Sequence, residues 1–288
     1  MRGTEVPTGT VPEPQAVPQH PDPAGCYCPS KRCGLRSRRP VCVPDKNLVV
    51  IPAYNEQASL PGTIAALQSL PDSFELLVVN DGSTDDTSRL ARELAGGSRL
   101  PLHVVDLPLN GGIGVAVQTG YLFAAQAGRF RYVIQFDADG QHDAQAILTL
   151  VEACEDRHLD LCLGSRFLDA RPGVFRSTAF RRAGIRFLAW LIGVLGRTHV
   201  TDPTSGFRCA GPRAWRDFAQ RYPDDYPEPE SLYWCIRNRL RVGEVPVRMF
   251  ERVGGRSSIR SLRSLYYMVK VTLAIAVDLL RPKEASQP

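Results

Sequence analysis

From Asn47 onward, short apolar runs alternate with stretches whose apolar positions fall three or four residues apart, the periods of buried strand and amphipathic helix. The pattern predicts a strand over Leu48 to Pro52, a helix over Ala58 to Leu70, a strand over Glu75 to Val79 and a helix over Thr84 to Leu94. A strand over Leu102 to Val105 then leads, through Asn110-Gly111-Gly112, into a helix over Ile113 to Ala127. Tyr132 to Phe136 reads as a fourth, central strand, followed by a helix over Ala144 to Cys154 and a fifth strand over Asp160 to Gly164. Strand and helix in strict alternation predict an α/β chain: a Rossmann-like, mainly parallel sheet with helices on both faces.

Past Asp169 the rhythm changes. A helix over Ser177 to Leu195 mixes Arg181, Arg182 and Arg186 with Phe, Leu, Trp and Ile. A polar loop, Thr201 to Arg208, precedes short helices over Arg213 to Ala219 and Glu228 to Arg239, a strand over Val242 to Met249 and a long C-terminal helix over Leu262 to Leu280. The expected organisation is a Pro- and Cys-rich tail over 1–45 that buries too little apolar surface to order itself. A main domain over 46–260 follows, with a donor half over 46–168 and an acceptor half over 169–260, and then an amphipathic helix and tail over 261–288.

Composition narrows the classes. With 43% hydrophobic and 23% charged residues and a net charge of +5, the chain is ordinary globular material with a mild preference for anionic partners. No zinc finger, aromatic RNA-binding signature or zipper heptad is present, so nucleic acid is not expected. Cys26, Cys28, Cys33 and Cys42 lack the paired spacing of common zinc sites. Cys154, Cys162, Cys209 and Cys235 sit singly in apolar segments, which fits a reduced, cytoplasmic protein. Met1 to Pro23 has no apolar core, and charges interrupt every window of about 18 residues that could span a bilayer. The Arg-rich stretch from Arg171 to Leu195 and the C-terminal helix could instead lie on a lipid interface such as the inner face of the plasma membrane.

In an open parallel sheet, ligands bind outside the carboxyl ends of the strands. Those ends carry Pro52-Ala53-Tyr54-Asn55-Glu56, Asn80-Asp81-Gly82-Ser83-Thr84-Asp85, Asp106 and Asp137-Ala138-Asp139-Gly140-Gln141. Asp81-Gly82-Ser83-Thr84 alone is a good turn and helix cap, but four such ends on one rim suggest a ligand rich in hydroxyl and N–H donors. Two carboxylates with an amide are oxygen chemistry for a hard divalent cation, and magnesium is usually held by one or two carboxylates plus substrate phosphates. Gly112-x-Gly114 follows the third strand and lacks the last glycine of a dinucleotide fingerprint, which argues against NAD.

Val50-Ile51-Pro52-Ala53-Tyr54-Asn55-Glu56, Asn80 to Asp85, Asn110-Gly111-Gly112, Asp137 to Gln141 and Gly164-Ser165-Arg166 together resemble the successive motifs of family 2 glycosyltransferases with the GT-A fold. The likeness is greatest to the dolichyl- and polyprenyl-phosphate mannosyl- and glucosyltransferase branch. The resemblance implies an inverting transferase that takes a sugar from a UDP-, GDP- or dTDP-sugar. Pro52, Tyr54, Glu56 and Asp81 would hold base and ribose. Asp137, Ala138 and Asp139 would meet the diphosphate, with Mg2+ or Mn2+ on Asp137, Asp139 and Gln141. Arg166 would face the acceptor phosphate or sugar pocket, and Arg252 and Arg256 the donor diphosphate.

One segment departs from that branch: Asp224-Asp225-Tyr226-Pro227-Glu228-Pro229-Glu230 is acidic where lipid-phosphate transferases are basic and aromatic. A hydroxyl acceptor needs a base to take its proton, whereas an ionised phosphate needs none. Glu228 or Asp225 is therefore the expected base, in cell-envelope glycan or glycolipid synthesis. A polyprenyl-phosphate acceptor, a non-catalytic nucleotide-sugar-binding protein and a metal-dependent nucleotidyltransferase are the alternatives.

Overall fold

The computed structural model describes residues 45–168, 179–250 and 261–280. Seven strands form one sheet: β1 (Lys46–Ala53), β2 (Phe74–Asn80), β3 (Leu102–Asp106), β4 (Phe130–Gln135), β5 (Leu161–Ser165), β6 (Arg208–Ala210) and β7 (Val242–Pro246). Their order is β3-β2-β1-β4-β6-β5-β7. Strands β3, β2, β1 and β4 run parallel, with Val50 opposite Leu77 on one side and Gln135 on the other. Every residue of β2 is buried, as expected of a strand covered on both faces.

Alternation along β1 divides the core. Leu48 and Val50 face the layer built by α3 (Ile113–Ala127), α5 (Ala179–Gly196), α6 (Pro212–Gln220), α7 (Pro227–Arg237) and α8 (Ser261–Leu280). Val49, Ile51 and Ala53 face the layer built by α1 (Leu60–Leu67), α2 (Thr87–Gly97) and α4 (Ala146–Asp156). The α/β, mainly parallel architecture expected from the sequence is therefore present, and helix α3 has the predicted bounds.

Strand β6 differs from expectation. The polar loop read over Thr201 to Arg208 runs into a three-residue strand that inserts antiparallel between β4 and β5. Three residues are too few for a period to register, and Arg208 reads as polar although it is fully buried. The insertion brings Ser205 and Gly206 beside the end of β4.

At the other end of the sheet, the buried carboxylate of Glu75 is held by Arg129 at 3.1 and 2.7 Å and by His103 at 3.0 Å. Burial pushes this carboxyl up, and the Arg129 and His103 contacts overcome that push, leaving it below its ordinary value. Its stabilising contribution is thus present above about pH 4.5 and fades as pH falls through the depressed value. Arg129→Ala is expected to cost about 1–2 kcal/mol at pH 7, discounted because Arg129 is partly exposed, and much less at pH 3. Urea midpoints at the two pH values check this.

Candidate active site

The strand order reverses between β1 and β4, so the loops leaving these strands diverge and open a crevice at their carboxyl ends. One wall is built from the loops after β1 and β2. Asn55, with φ of 55°, accepts the Thr84 amide at 2.8 Å through its side chain, while its own amide donates to Ser83 at 2.9 Å. Tyr54 is exposed beside Asn55, Pro52 is buried, and Glu56 accepts a short hydrogen bond from Ser59.

Two of the four acidic strand ends serve the scaffold. Both oxygens of Asp81 accept backbone amides, from Gly111 at 2.8 Å and Gly112 at 2.9 Å, so this carboxylate shapes the glycine loop that opens α3. Asp106 accepts from Asn80 and Ser88 at 2.7 Å each and pairs with Arg92. The other two acidic ends are Glu56 after β1 and the Asp137–Asp139 pair after β4.

Asp137 is partly exposed; Asp139 is buried and accepts the Gln141 amide at 3.0 Å. The buried His142 ring places Nε2 3.4 Å from Asp137 Oδ2, and Gln135 Nε2 lies 3.4 Å from Oδ1. Among the described residues, His142 Nδ1 and Gln135 Oε1 are buried with no hydrogen-bond partner. A Cβ on Gly206 would stand 3.2 and 3.4 Å from the two Asp137 carboxylate oxygens and 2.9 Å from Gln135 Nε2. Glycine at 206 thus keeps the approach to Asp137 open. No group of three His, Cys, Asp or Glu forms a complete metal cage among the described residues. Asp137, partly exposed, and Asp139 beside it are oxygen donors of the kind that suit a divalent cation whose remaining ligands come from a substrate. Gln141, the third expected ligand, donates its side-chain amide to the Phe250 carbonyl at 3.4 Å.

The opposite wall comes from β5, β6 and α7. Arg166 grips Asp202 bidentately at 2.6 and 2.7 Å and donates to Thr204 at 2.8 Å. Glu244 of β7 accepts the Thr201 and Asp202 amides and so holds the same loop. Arg208 donates to the Ser205 carbonyl, to Ser231 Oγ at 2.9 Å and to the Glu228 carbonyl at 3.3 Å. This tethers the start of α7 to the loop beside Asp137. The apposition is close: a Cβ on Gly114 would come within 2.1 Å of the Pro223 carbonyl oxygen and 2.2 Å of that of Asp224. Only glycine lets α3 approach the acidic segment so nearly.

Within that segment the two candidate bases separate. Glu228 has its carboxyl pushed up by burial, drawn down by the Arg208 charge, raised again by Asp137 and drawn down by Arg166. It therefore belongs electrostatically to the crevice. Asp225 is exposed and paired with Lys270 of α8. Glu230 faces Lys270, Asp225 and Asp278, and burial pushes its carboxyl up to about 7.

A carboxyl raised from 4.5 to about 7 on folding leaves the folded state progressively less favoured as pH rises between those values. Glu230→Gln is accordingly expected to stabilise the protein by about 1–2 kcal/mol at pH 8, after discounting for partial exposure, and to change little below pH 4.5. Thermal melts at both pH values test it.

The family resemblance places Asp202 and Ser205 to Arg208 in the loop before the acceptor site, but sequence reasoning missed that Arg208 is buried, that Gly206 lies against Asp137 and that Arg166 pairs with Asp202. The available signal for Arg208 was one charge inside the otherwise apolar Gly206-Phe207-Arg208-Cys209-Ala210. Arg252 and Arg256 lie outside the described residues, as does the Cys-rich tail.

Fold and crevice together define a GT-A glycosyltransferase architecture. It is shared with glucosyl-3-phosphoglycerate synthase from Mycobacterium tuberculosis, at TM-score 0.60 and 23% identity over 83% of this chain and 82% of that one. A sequence model of glycosyl transferase family 2 matches residues 48–218, and the chain belongs to that family. Among its relatives, the polyprenol monophosphomannose synthase of Mycolicibacterium smegmatis is 30% identical over 78% of this chain and 85% of the relative. The UDP-N-acetylglucosamine–dolichyl-phosphate N-acetylglucosaminyltransferase of Methanococcus voltae is 27% identical over 69% and 84%.

Proposed function

We propose that this glycosyltransferase moves a sugar from a nucleoside-diphosphate sugar to a polyprenyl phosphate at a membrane surface, with inversion at the anomeric carbon. The carrying observation is an apolar face beside the crevice that is exposed among the described residues. On α8, Tyr266, Val269, Leu273, Val277 and Leu280 are exposed in one row, and on α5, Phe187, Trp190 and Val194 are exposed in another. The helices touch where Gly184 meets Met268, and Arg182 and Arg186 are exposed on α5. An apolar face with flanking arginines suits an anionic lipid interface. Tyr267 of α8 lies in the field of Glu228, so this face adjoins the reacting groups. Relatives named for polyprenol- and dolichyl-phosphate products support the same acceptor class. Among the described residues, no helix is long and apolar enough to cross a membrane.

In this reading Tyr54, Glu56 and the loop shaped by Asp81 receive the nucleoside, beside Pro52. Asp137 and Asp139, with Ala138 between them and Gln141 beyond, hold Mg2+ or Mn2+ against the diphosphate. Bound there, the cation supplies positive charge to the leaving diphosphate, and Arg252 and Arg256 add to it. Arg166, fixed by Asp202, and Arg208 set a positive field where the acceptor oxygen approaches.

A second reading, transfer to a hydroxyl, is favoured by Glu228 alone, which would act as base from its place in the field of Asp137. Purified protein is to be incubated with Mn2+, a panel of UDP-, GDP- and dTDP-sugars, and either a polyprenyl phosphate or a soluble glycan, following diphosphate release. Glu228→Gln is expected to keep transfer to the lipid phosphate within about tenfold. A loss of about 10²–10⁴ with nucleotide affinity intact would establish the hydroxyl reading instead.

A further inference from the structure

The geometry points to a cavity of about 460 Å³ between α6, α7 and α8 as a hydrocarbon-chain site that takes the first isoprenoid units of the acceptor. The inference rests on the polyprenyl-phosphate reading above and adds where the chain lies. Phe218, Tyr222, Trp234, Leu273, Ile275 and Val277 line it. Mainly aromatic and aliphatic walls of this size suit an apolar ligand with a polar group at one end. The charged groups Arg221, Glu230, Lys270 and Asp278 also lie along it. Two ion pairs, Lys270–Asp225 and Arg237–Asp278, tie α8 to the segment before α7 and to α7 itself.

Two features identify the occupant. First, Leu273 and Val277 line the cavity and also belong to the exposed apolar row on α8. The cavity is therefore continuous with the face assigned to the lipid surface. Second, the cavity's inner wall reaches the crevice. Ser231 lines it and accepts a hydrogen bond from Arg208 at 2.9 Å, and Arg208 also holds the Glu228 carbonyl. Tyr222, on the same wall, lies in the fields of Arg208 and Glu228. A chain lodged here thus has its phosphate end toward the crevice, with the buried Arg208 behind it holding Ser231 and the Glu228 carbonyl. A soluble glycan would find no use for these walls, and an acyl chain of a bulk phospholipid would carry the wrong head group to the crevice.

The test uses the full chain and a farnesyl phosphate bearing a photoreactive diazirine on its second isoprene unit. Adducts are mapped by mass spectrometry, and transfer is measured to polyprenyl phosphates of increasing length. Wild type is expected to be labelled on Trp234, Ala274 and Ile275, with competition by unlabelled polyprenyl phosphate and none by phosphatidylglycerol vesicles. Ala274→Trp fills the cavity and is expected to raise KM for polyprenyl phosphates, geranyl phosphate included, at least tenfold while leaving KM for the nucleotide sugar unchanged. Leu273→Asn, at a position 62% exposed and so of little cost to folding, is expected to act in the same direction. Labelling confined to the exposed rows of α5 and α8, competition by phosphatidylglycerol, or an unaltered acceptor KM in both variants overturns the inference and leaves the acceptor reading standing. Competed labelling of the cavity without transfer to any polyprenyl phosphate supports the chain site and overturns the acceptor reading alone.

Discussion

Asp137→Asn combined with Asp139→Asn is expected to lower sugar transfer by at least about 10³-fold while the protein stays folded. The substitutions keep volume and hydrogen-bonding capacity, so an amide side chain at position 139 can still accept the Gln141 backbone N–H that Asp139 accepts at 3.0 Å. What they remove is the negative charge that draws a divalent cation to the end of β4. Metal-assisted charge stabilisation on a leaving phosphate accounts for several kcal/mol of transition-state binding, and each 1.36 kcal/mol is tenfold in rate. Diphosphate release with saturating Mn2+, read against a circular-dichroism melt, decides the matter. Transfer within tenfold of wild type in a folded double variant would remove the cation from the account of this site. Nucleotide affinity should lose its dependence on Mn2+ in the same variant, a readout independent of turnover.

The second large effect concerns stability. Asp202→Ala is expected to cost about 3–5 kcal/mol and to abolish transfer at temperatures where the wild type is active. Asp202 is fully buried and Arg166 has a side chain only 6% exposed. Removing the carboxylate strips the guanidinium of its bidentate partner and leaves a buried charge to be desolvated without recompense. The Asp202 amide would still be held by Glu244, so the loop keeps one tether while losing the one that aims Arg166. A fall in the urea midpoint at constant slope measures the cost. Asp202→Asn, which retains one acceptor oxygen, should lose less stability yet still lower turnover, because the second contact of the fork is gone. A midpoint shift below about 1 kcal/mol in Asp202→Ala would show that the pair is not what fixes this wall.

The strand and helix sequence of the donor half was legible because each element there is long enough for its period to register. Helix α3 was bounded correctly because Gly112 and Gly128, both at positive φ, terminate it on either side. The acidic rim was legible as residues and overread as ligands. Asp81 and Asp106 look the same in sequence as Asp137 and Asp139, but both oxygens of Asp81 are spent on the Gly111 and Gly112 amides and Asp106 is tied to Asn80, Ser88 and Arg92, away from the end of β4. Glu228 and Asp225 were likewise indistinguishable three residues apart. One helical start separates them, turning Glu228 toward Arg208 and Asp137 and Asp225 toward Lys270.

The sequence by itself determined the alternating α/β pattern, the switch-point strand ending in Asp137 and Asp139, and the family, since these depend on local period and on motifs contiguous in the chain. Tertiary structure alone decided which carboxylates are already engaged, that Arg208 lies buried behind the crevice, and that α6, α7 and α8 enclose an apolar cavity open to the α8 face. Those properties belong to pairs of residues distant in the chain, and their energies depend on which groups share the same desolvated space. Nothing local in the sequence encodes that sharing.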